Sequence, residues 1–367
     1  MSKAGKIDLK AMQKLINKKT GLNVAHDLSD DSNPTEVKEW ISTGSRWLDS
    51  IICRGKHAGI PVGKITEIAG LSGAGKSFMA AQIAANAQKQ GIFPVYFDAE
   101  MAIDPMFLEQ AGIDRSQMMY IQAVSVEKVL ETIESILDEF EGMRFLFIWD
   151  SIAATSSEKE LESDFNPQST MSVKPRIFGK AFPKLTIPFA DGQHTLLLIN
   201  QLKTNINTQN PMAALVEPYI TPGGKAIEYF CSLRIWLTKR KSKAAYVQDD
   251  TGLRIGSEVK CTLQKSRFGT EGRECTFKIL WSGGAAIQDE ESWLVALKSS
   301  GTKRLGLSGA WYTLVDNNGQ EIKFQGKQWM EKLQEPEFRQ IVLDIMDEEI
   351  VKKFDSEGKN FGVSEDD

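Results

Sequence analysis

The chain has no long apolar run, little cysteine and no strong charge of either sign, and each lack removes a class of protein. No apolar stretch approaches the roughly 18 residues a membrane span requires. The N-terminus carries no apolar signal core, so a cytosolic protein without a membrane partner is expected. Four cysteines, Cys53, Cys231, Cys261 and Cys275, lie far apart with no C-x-x-C pair. That spacing suggests neither a zinc site nor a disulfide framework and leaves buried free thiols as the expected state. A formal net charge of −5 gives no global attraction to nucleic acid, so any such binding has to be local. No repeat of solenoid period is present. The 367 residues suffice for one large α/β domain with an appendage, or for two domains.

Charge is concentrated locally instead. Lys3, Lys6, Lys10, Lys14, Lys18 and Lys19 alternate with Leu9, Met12, Leu15 and Ile16, as in a basic amphipathic helix. Lys239-Arg240-Lys241-Ser242-Lys243 forms a basic run, and the chain ends Ser364-Glu365-Asp366-Asp367. The plain readings of the last two are a solvated face and a frayed tail.

The most specific pattern is Gly70-Leu71-Ser72-Gly73-Ala74-Gly75-Lys76-Ser77, which fits the phosphate-binding loop G-x-x-x-x-G-K-[ST]. Its glycines let successive N–H groups turn toward phosphate oxygens. Lys76 then reaches the β- and γ-phosphates, and the Ser77 hydroxyl ligates Mg²⁺. The context agrees, because Lys64–Ala69 reads as the preceding strand and Ser77–Gln90 as an alanine-rich helix.

Strands and helices alternate beyond the loop. Val126, Val129, Leu130, Ile133, Ile136, Leu137 and Phe140 share one helical face. Apolar runs Val95–Phe97, Phe145–Trp149 and Thr195–Ile199 read as strands covered on both faces, ending at Asp98, Asp150 and Asn200-Gln201. The expected fold is α/β, a mainly parallel sheet whose ligands sit beyond the carboxyl ends of the strands. There Gly70–Ser77, Asp98–Glu100, Asp150 and Gln201 would converge. Ser157–Lys174 and Lys203–Gly224 show no clear periodicity and read as long functional loops. Ser232–Thr238, Glu258–Lys265 and Thr276–Trp281 read as an antiparallel extension. A Trp311–Leu314/Ile322–Phe324 hairpin and a helix from Pro336 to about Phe354 follow.

Asp150 has the placement of a Walker B carboxylate holding Mg²⁺ through water, with a helix-capping role as the alternative. Glu100 is the candidate general base, with Asp98 as its competitor. Gln201 is placed to hydrogen-bond a γ-phosphate and report its loss to the loop that follows.

Together, Phe97-Asp98-Ala99-Glu100 with Asp104-Pro105, Trp149-Asp150-Ser151-Ile152, Leu198-Ile199-Asn200-Gln201 and Thr221-Pro222-Gly223-Gly224 resemble the RecA family of homologous-recombination proteins. In detail they resemble the recombinases of T4-like bacteriophages. The resemblance extends over about residues 35–340 and includes Gly309-Ala310-Trp311-Tyr312.

It implies a RecA-like phosphate-loop NTPase core over 31–288, a subunit-contacting basic helix within 1–30, a small C-terminal α+β domain over 289–354 and an acidic tail over 355–367. It further implies a DNA-dependent ATPase using ATP and Mg²⁺. Such a protein assembles into helical filaments on single-stranded DNA and exchanges strands with double-stranded DNA in recombination, repair and recombination-dependent replication. A single-strand-binding protein and a loader would be its partners, in the host cytoplasm if the chain is phage-encoded.

Carried over by position, Glu100 is the catalytic glutamate, Asp150 the Walker B aspartate and Gln201 the γ-phosphate sensor. Asp104 and Phe107 contact and stack on adenine. Lys265 and Arg267 reach the neighbouring subunit's ATP, and 157–174 and 203–224 are the DNA-binding loops. The phosphate loop departs from the bacterial family's commonest Pro-Glu-Ser-Ser version, and the second loop is divergent. DNA contacts are therefore assigned to the charges and amides present: Lys174, Arg176, Lys203 and Asn205, with Gly223 and Gly224 as a close approach or hinge. A hexameric helicase motor on the same fold and a recombinase-loading paralogue are the alternatives.

Overall fold

The computed structural model of the chain describes residues 8–21, 24–27, 35–101, 103–163, 172–205, 218–239, 245–281 and 287–352. The chain divides into two compact units, Met1–Glu39 and Trp40–Asp367. In the first, helix α1 (Leu9–Thr20) begins where the Asp8 carboxylate accepts from Ala11 N at 3.1 Å and ends at Gly21 in the left-handed region. This is the expected basic helix, with Leu9, Met12 and Leu15 exposed. Lys3 and Lys6 lie outside the described residues.

In the second unit, the described residues form a ten-stranded sheet. Its strands are β1 (Ile65–Gly70), β2 (Phe93–Asp98), β3 (Met119–Gln122), β4 (Phe145–Asp150), β5 (Thr195–Gln201), β6 (Leu233–Lys239), β7 (Tyr246–Gln248), β8 (Arg254–Ser266), β9 (Glu274–Leu280) and β10 (Ile287–Gln288). Their order is β10-β9-β8-β6-β1-β5-β4-β2-β3, with β7 paired to β8. The run β6-β1-β5-β4-β2-β3 is parallel, and β7 to β10 extend it antiparallel. The α/β architecture expected from the alternation of apolar strands and helices is therefore present.

Helix α2 (Lys76–Lys89) lies on one face, where Ala80, Ile83 and Ala84 join Ile68, Leu197 and Ile199 in one apolar cluster. Its alanines favour the helix and let it approach the sheet closely. Helix α3 (Pro105–Gln110) starts at Asp104. Helices α4 (Val126–Glu139) and α5 (Val173–Gly192) cover the other face, placing Ile133, Phe178 and Phe182 against Phe147, Trp149 and Leu198. Consecutive strand residues thus serve opposite cores. Each fully buried side chain of this size contributes about 1.5–3 kcal/mol.

Helix α5 is absent from the reading of the sequence because Pro175, Pro183 and Pro188 argue against a helix. Pro175 sits in the first turn, where its missing N–H costs nothing. Phe178, Phe182, Leu185 and Phe189 nevertheless recur at helical spacing and are all buried.

The described parts of the two stretches expected as loops include regular structure. Glu158–Glu162 is helical, held by reciprocal bonds between Ser157 and Glu160, and Val173 already belongs to α5. Residues 164–171 lie outside the described residues. In the second stretch Lys203–Thr204 pairs antiparallel with Tyr219–Ile220 as a short stem. Residues 206–217 lie outside the described residues. Helix α6 (Lys225–Phe230) follows.

The C-terminal elements are α7 (Glu290–Ser300), a three-stranded sheet Leu305–Ser308/Trp311–Val315/Glu321–Gln325, and α8 (Pro336–Met346) continued by a π-turn to Val351. The anticipated hairpin is part of this sheet. Trp293, Phe324, Trp329 and Phe338 join the same apolar cluster as α2. Phe354 and the acidic tail lie outside the described residues. All four cysteines are buried free thiols, as their spacing suggested. Among the described residues no helix is long and apolar enough to cross a membrane.

Candidate active site

The parallel register places Gly70 opposite Gln201 and Asp98 opposite Asp150, so the predicted residues meet at one end of the sheet. Between Gly70 and α2 the loop turns through Gly73 at φ 65° and Gly75 at φ 86°. A side chain at Gly75 would be strained by this positive φ, and its Cβ, 2.2 Å from Ile279 Cδ1, would also force the Ile279 side chain to shift. The resulting cradle opens at the N-terminus of α2, where free backbone N–H groups favour an anion.

Lys76 folds across the loop, its Nζ donating to Gly70 O and Leu71 O, each at 3.2 Å. Burial holds its pKa below the usual lysine range, opposed by the negative charges of Asp150 and Glu100. Ser77 Oγ donates to Asp150 Oδ2 at 2.7 Å, and Tyr96 OH donates to the same oxygen at 2.8 Å. Burial raises the Asp150 pKa, while these donors stabilise its ionised form. Among the described residues no cluster of three or more His, Cys, Asp or Glu is arranged to hold a metal. The donor set still fits Mg²⁺ in a phosphate-loop site, where the protein supplies one hydroxyl and a water-bridging carboxylate and the phosphates supply the rest.

Glu100 is exposed on the cavity, its Oε1 accepting from Ser151 Oγ at 3.0 Å and from Gln201 Nε2 at 3.3 Å. Asp98 has a different job. It is buried and accepts from Glu100 N and Met101 N at 2.9 Å, Ile103 N at 3.4 Å and Tyr120 OH at 3.2 Å, which fixes the turn presenting Glu100. Backbone bonding reinforces the convergence, since Leu202 N donates to Gly70 O at 3.1 Å and so ties β5 to the phosphate loop.

Two adjoining cavities occupy this end of the sheet. One, of about 510 Å³, holds the loop with Glu100, Asp150 and Gln201. The other, of about 470 Å³, is walled by Ile103, Asp104 and Phe107. Asp104 caps α3 through Met106 N at 2.9 Å, and Phe107 meets Phe78 edge-on with ring centroids 4.3 Å apart. A triphosphate in the first cavity and an aromatic base in the second would fill both.

Three contributors were not read as site residues from the sequence. Trp281 borders both cavities. Arg254 lines the phosphate cavity, its guanidinium 3.7 Å from the Tyr246 ring centroid and 5.2 Å from that of Trp281. Lys239, read as part of a solvated basic run, instead donates to Gly73 O at 3.1 Å. Residues 240–244, the rest of that run, lie outside the described residues. Arg254 comes from β8, Trp281 from just past the end of β9 and Lys239 from the end of β6, and no motif marks them.

Lys265 and Arg267 are elsewhere. Lys265 pairs with Arg234, whereas Gly70 pairs with Leu237 farther along β6. At about 3.3 Å per residue these positions are roughly 10 Å apart along the strand. Lys265 Nζ donates to the carbonyls of Glu228 and Tyr229, and Arg267 Nη2 donates to Tyr229 O at 2.7 Å, so both cap the last turn of α6. They do not line the phosphate cavity of their own chain.

Of the proposed DNA contacts, Lys174 is half-buried in the first turn of α5, with Nζ 3.6 Å from Glu160 Oε2. Arg176 and Lys203 are exposed, and Asn205 N donates to Pro218 O at 2.9 Å across the stem. Gly223 and Gly224 adopt φ 101° and 72°. A Cβ on Gly224 would lie 3.0 Å from Pro175, so this glycine also permits close packing on α5.

Comparison with known proteins gives a consistent picture. The family model described as the RecA N-terminal domain matches residues 7–286. The curated Protein RecA of Chlorobaculum tepidum is 30% identical over 318 residues, covering 87% of this chain and 85% of that protein. Protein RecA of Sulfurovum sp. is 31% identical over 290 residues, covering 78% and 76%. Protein RecA of Mannheimia haemolytica is 29% identical over 294 residues, covering 80% and 74%.

Proposed function

The chain belongs to the RecA family, and from that premise we propose that it is an ATP-dependent recombinase that forms filaments on single-stranded DNA and pairs and exchanges strands with homologous duplex. The observation that carries this reading is Glu100, held between Ser151 and Gln201 at the mouth of the phosphate loop. It joins a carboxylate able to activate water to the strand that enters the second long segment.

The loop N–H groups and Lys76 would bind and orient the triphosphate, with Asp104, Phe107 and Trp281 enclosing the base. Bound Mg²⁺ would neutralise phosphate charge, with Ser77 and Asp150 as its protein partners. Glu100 would accept a proton from water in line with the terminal phosphate, and Gln201 would bond that phosphate. Lys265 and Arg267, which do not line their own cavity, would serve the nucleotide of an adjacent subunit. Hydrolysis would then require assembly.

Exposed α1 would pack on the next subunit in a head-to-tail contact that propagates instead of closing. On this reading the functional regions are 1–30, 31–288, 289–354 and 355–367, as the sequence suggested. Arg176, Lys203, Asn205 and Lys174, once released from Glu160, would bind DNA phosphates without reading sequence. A cytoplasmic setting, a phage source close to the T4-like recombinases, a role in replication, and partnership with a single-strand-binding protein and a loader complete the reading. A strand-exchange assay with circular single strands and homologous linear duplex tests it. ATP-dependent joint molecules are expected, whereas DNA unwinding without pairing would indicate a helicase motor.

A further inference from the structure

Glu67 lies in the middle of β1, the central strand, and is fully buried. A carboxylate there needs partners for both oxygens, because an unpaired charge in an apolar sheet is strongly disfavoured. Arg234, directly across on β6, supplies one with Nε 2.6 Å from Glu67 Oε2. Asn200 on β5 supplies the other, its Nδ2 donating to Glu67 Oε1 at 2.8 Å. A buried pair of this kind is often replaceable by apolar residues without loss of stability, so its presence needs another reason.

The outward bonds of the cluster suggest that reason. Asn200 Nδ2 also donates to Pro222 O at 2.9 Å, and Asn200 Oδ1 accepts from Gln201 N at 2.9 Å. Arg234 Nη2 donates to Thr221 Oγ1 at 2.9 Å. The cluster therefore holds, at once, the backbone of the residue that touches Glu100 and the point where the chain returns from the stem Lys203–Thr204/Tyr219–Ile220.

We infer that Glu67, Asn200 and Arg234 are positioning residues that couple the state of Gln201 at the phosphate cavity to the placement of Thr221 and Pro222, the C-terminal root of the second long segment. The inference rests on the proposed reading of that segment as DNA-binding. A terminal phosphate that draws the Gln201 amide away from Glu100 moves the end of β5. Asn200 and the Arg234 fork transmit that movement to Pro222 and Thr221. The coupling element is thus the C-terminal root of the segment, held from inside the sheet.

The test is Arg234→Lys in the full-length chain. Lysine keeps the charge opposite Glu67 but lacks the fork that bonds Glu67 and Thr221 together. A purely structural ion pair would tolerate it. Single-stranded DNA affinity is measured with and without a non-hydrolysable ATP analogue, alongside basal kcat and KM for ATP. The expected result is unchanged basal kinetics and nucleotide-free DNA affinity, with the nucleotide-induced gain in affinity reduced about fivefold or more. A full gain in Arg234→Lys overturns the inference. If that variant does not fold, the Glu67→Leu/Arg234→Met double variant, which strands no charge, reads the same ratio with the same outcomes. A wild-type protein whose DNA affinity ignores nucleotide overturns the DNA-binding reading itself.

Discussion

Gln201 Nε2 lies 3.3 Å from Glu100 Oε1, joining the ends of two strands, β5 and β2, that are not neighbours in the sheet. Glu100 is thereby held at the cavity while Asp98, bonded throughout its turn, is committed to shaping the backbone. Glu100→Gln should bind nucleotide and DNA normally but hydrolyse ATP about 10²–10⁴-fold more slowly, the usual worth of a positioned general base. Phosphate-release kinetics with parallel binding curves check this; unimpaired release would move the base elsewhere.

Lys76→Ala should lose about 10²–10³ in turnover by removing a cation from the transferring phosphates. Lys265→Ala should also abolish DNA-stimulated turnover, although its side chain does not line its own cavity. Mixing the two inactive variants should restore part of the activity, because some interfaces would pair an intact Lys76 with an intact Lys265. No recovery across mixing ratios would remove the trans role.

Trp281→Ala should raise KM for ATP roughly tenfold through lost stacking on the base. Arg254→Ala should raise KM several-fold, about 1 kcal/mol of binding shared by ground and transition states, with kcat unchanged. Steady-state kinetics distinguish these from Glu100→Gln, which lowers kcat.

Asp49 sets a dependence of stability on pH. It accepts from Ser42 Oγ and Thr43 Oγ1, each at 2.6 Å. Burial, despite these bonds and with a smaller push from Asp289, raises its pKa to about 7. The folded state then holds the proton more tightly than the unfolded chain, whose carboxyl titrates near 3.9. The stabilisation is full below about pH 4 and is lost as pH rises to about 7, at most on the order of 4 kcal/mol. Thermal midpoints between pH 4.5 and 8 should fall for the wild type and fall less for Asp49→Asn. Parallel profiles would show that Asp49 is not responsible.

The sequence made the phosphate loop, Glu100, Asp150 and Gln201 legible because each ends an apolar strand, and a parallel sheet brings such ends together. Trp281, Arg254 and Lys239 were not legible. They enter from β6 and from the antiparallel strands β8 and β9, where register decides which side chains meet the loop. Helix α5 was obscured by its prolines, although its buried phenylalanines carried the period. Glu67 sat unnoticed in a strand that reads as ordinary, because its need for Arg234 and Asn200 arises only when β5 and β6 flank β1. Lys265 and Arg267 were legible only through family resemblance, since within their own chain they bond the carbonyls of Glu228 and Tyr229 and do not line the phosphate cavity.

The proposal that hydrolysis at this site depends on assembly along DNA is tested most directly by ATP turnover with and without single-stranded DNA, followed by negative-stain imaging of the same sample. Turnover that rises on adding DNA, together with open helical filaments, is the expected result. DNA-independent turnover, or closed rings in place of filaments, would contradict it.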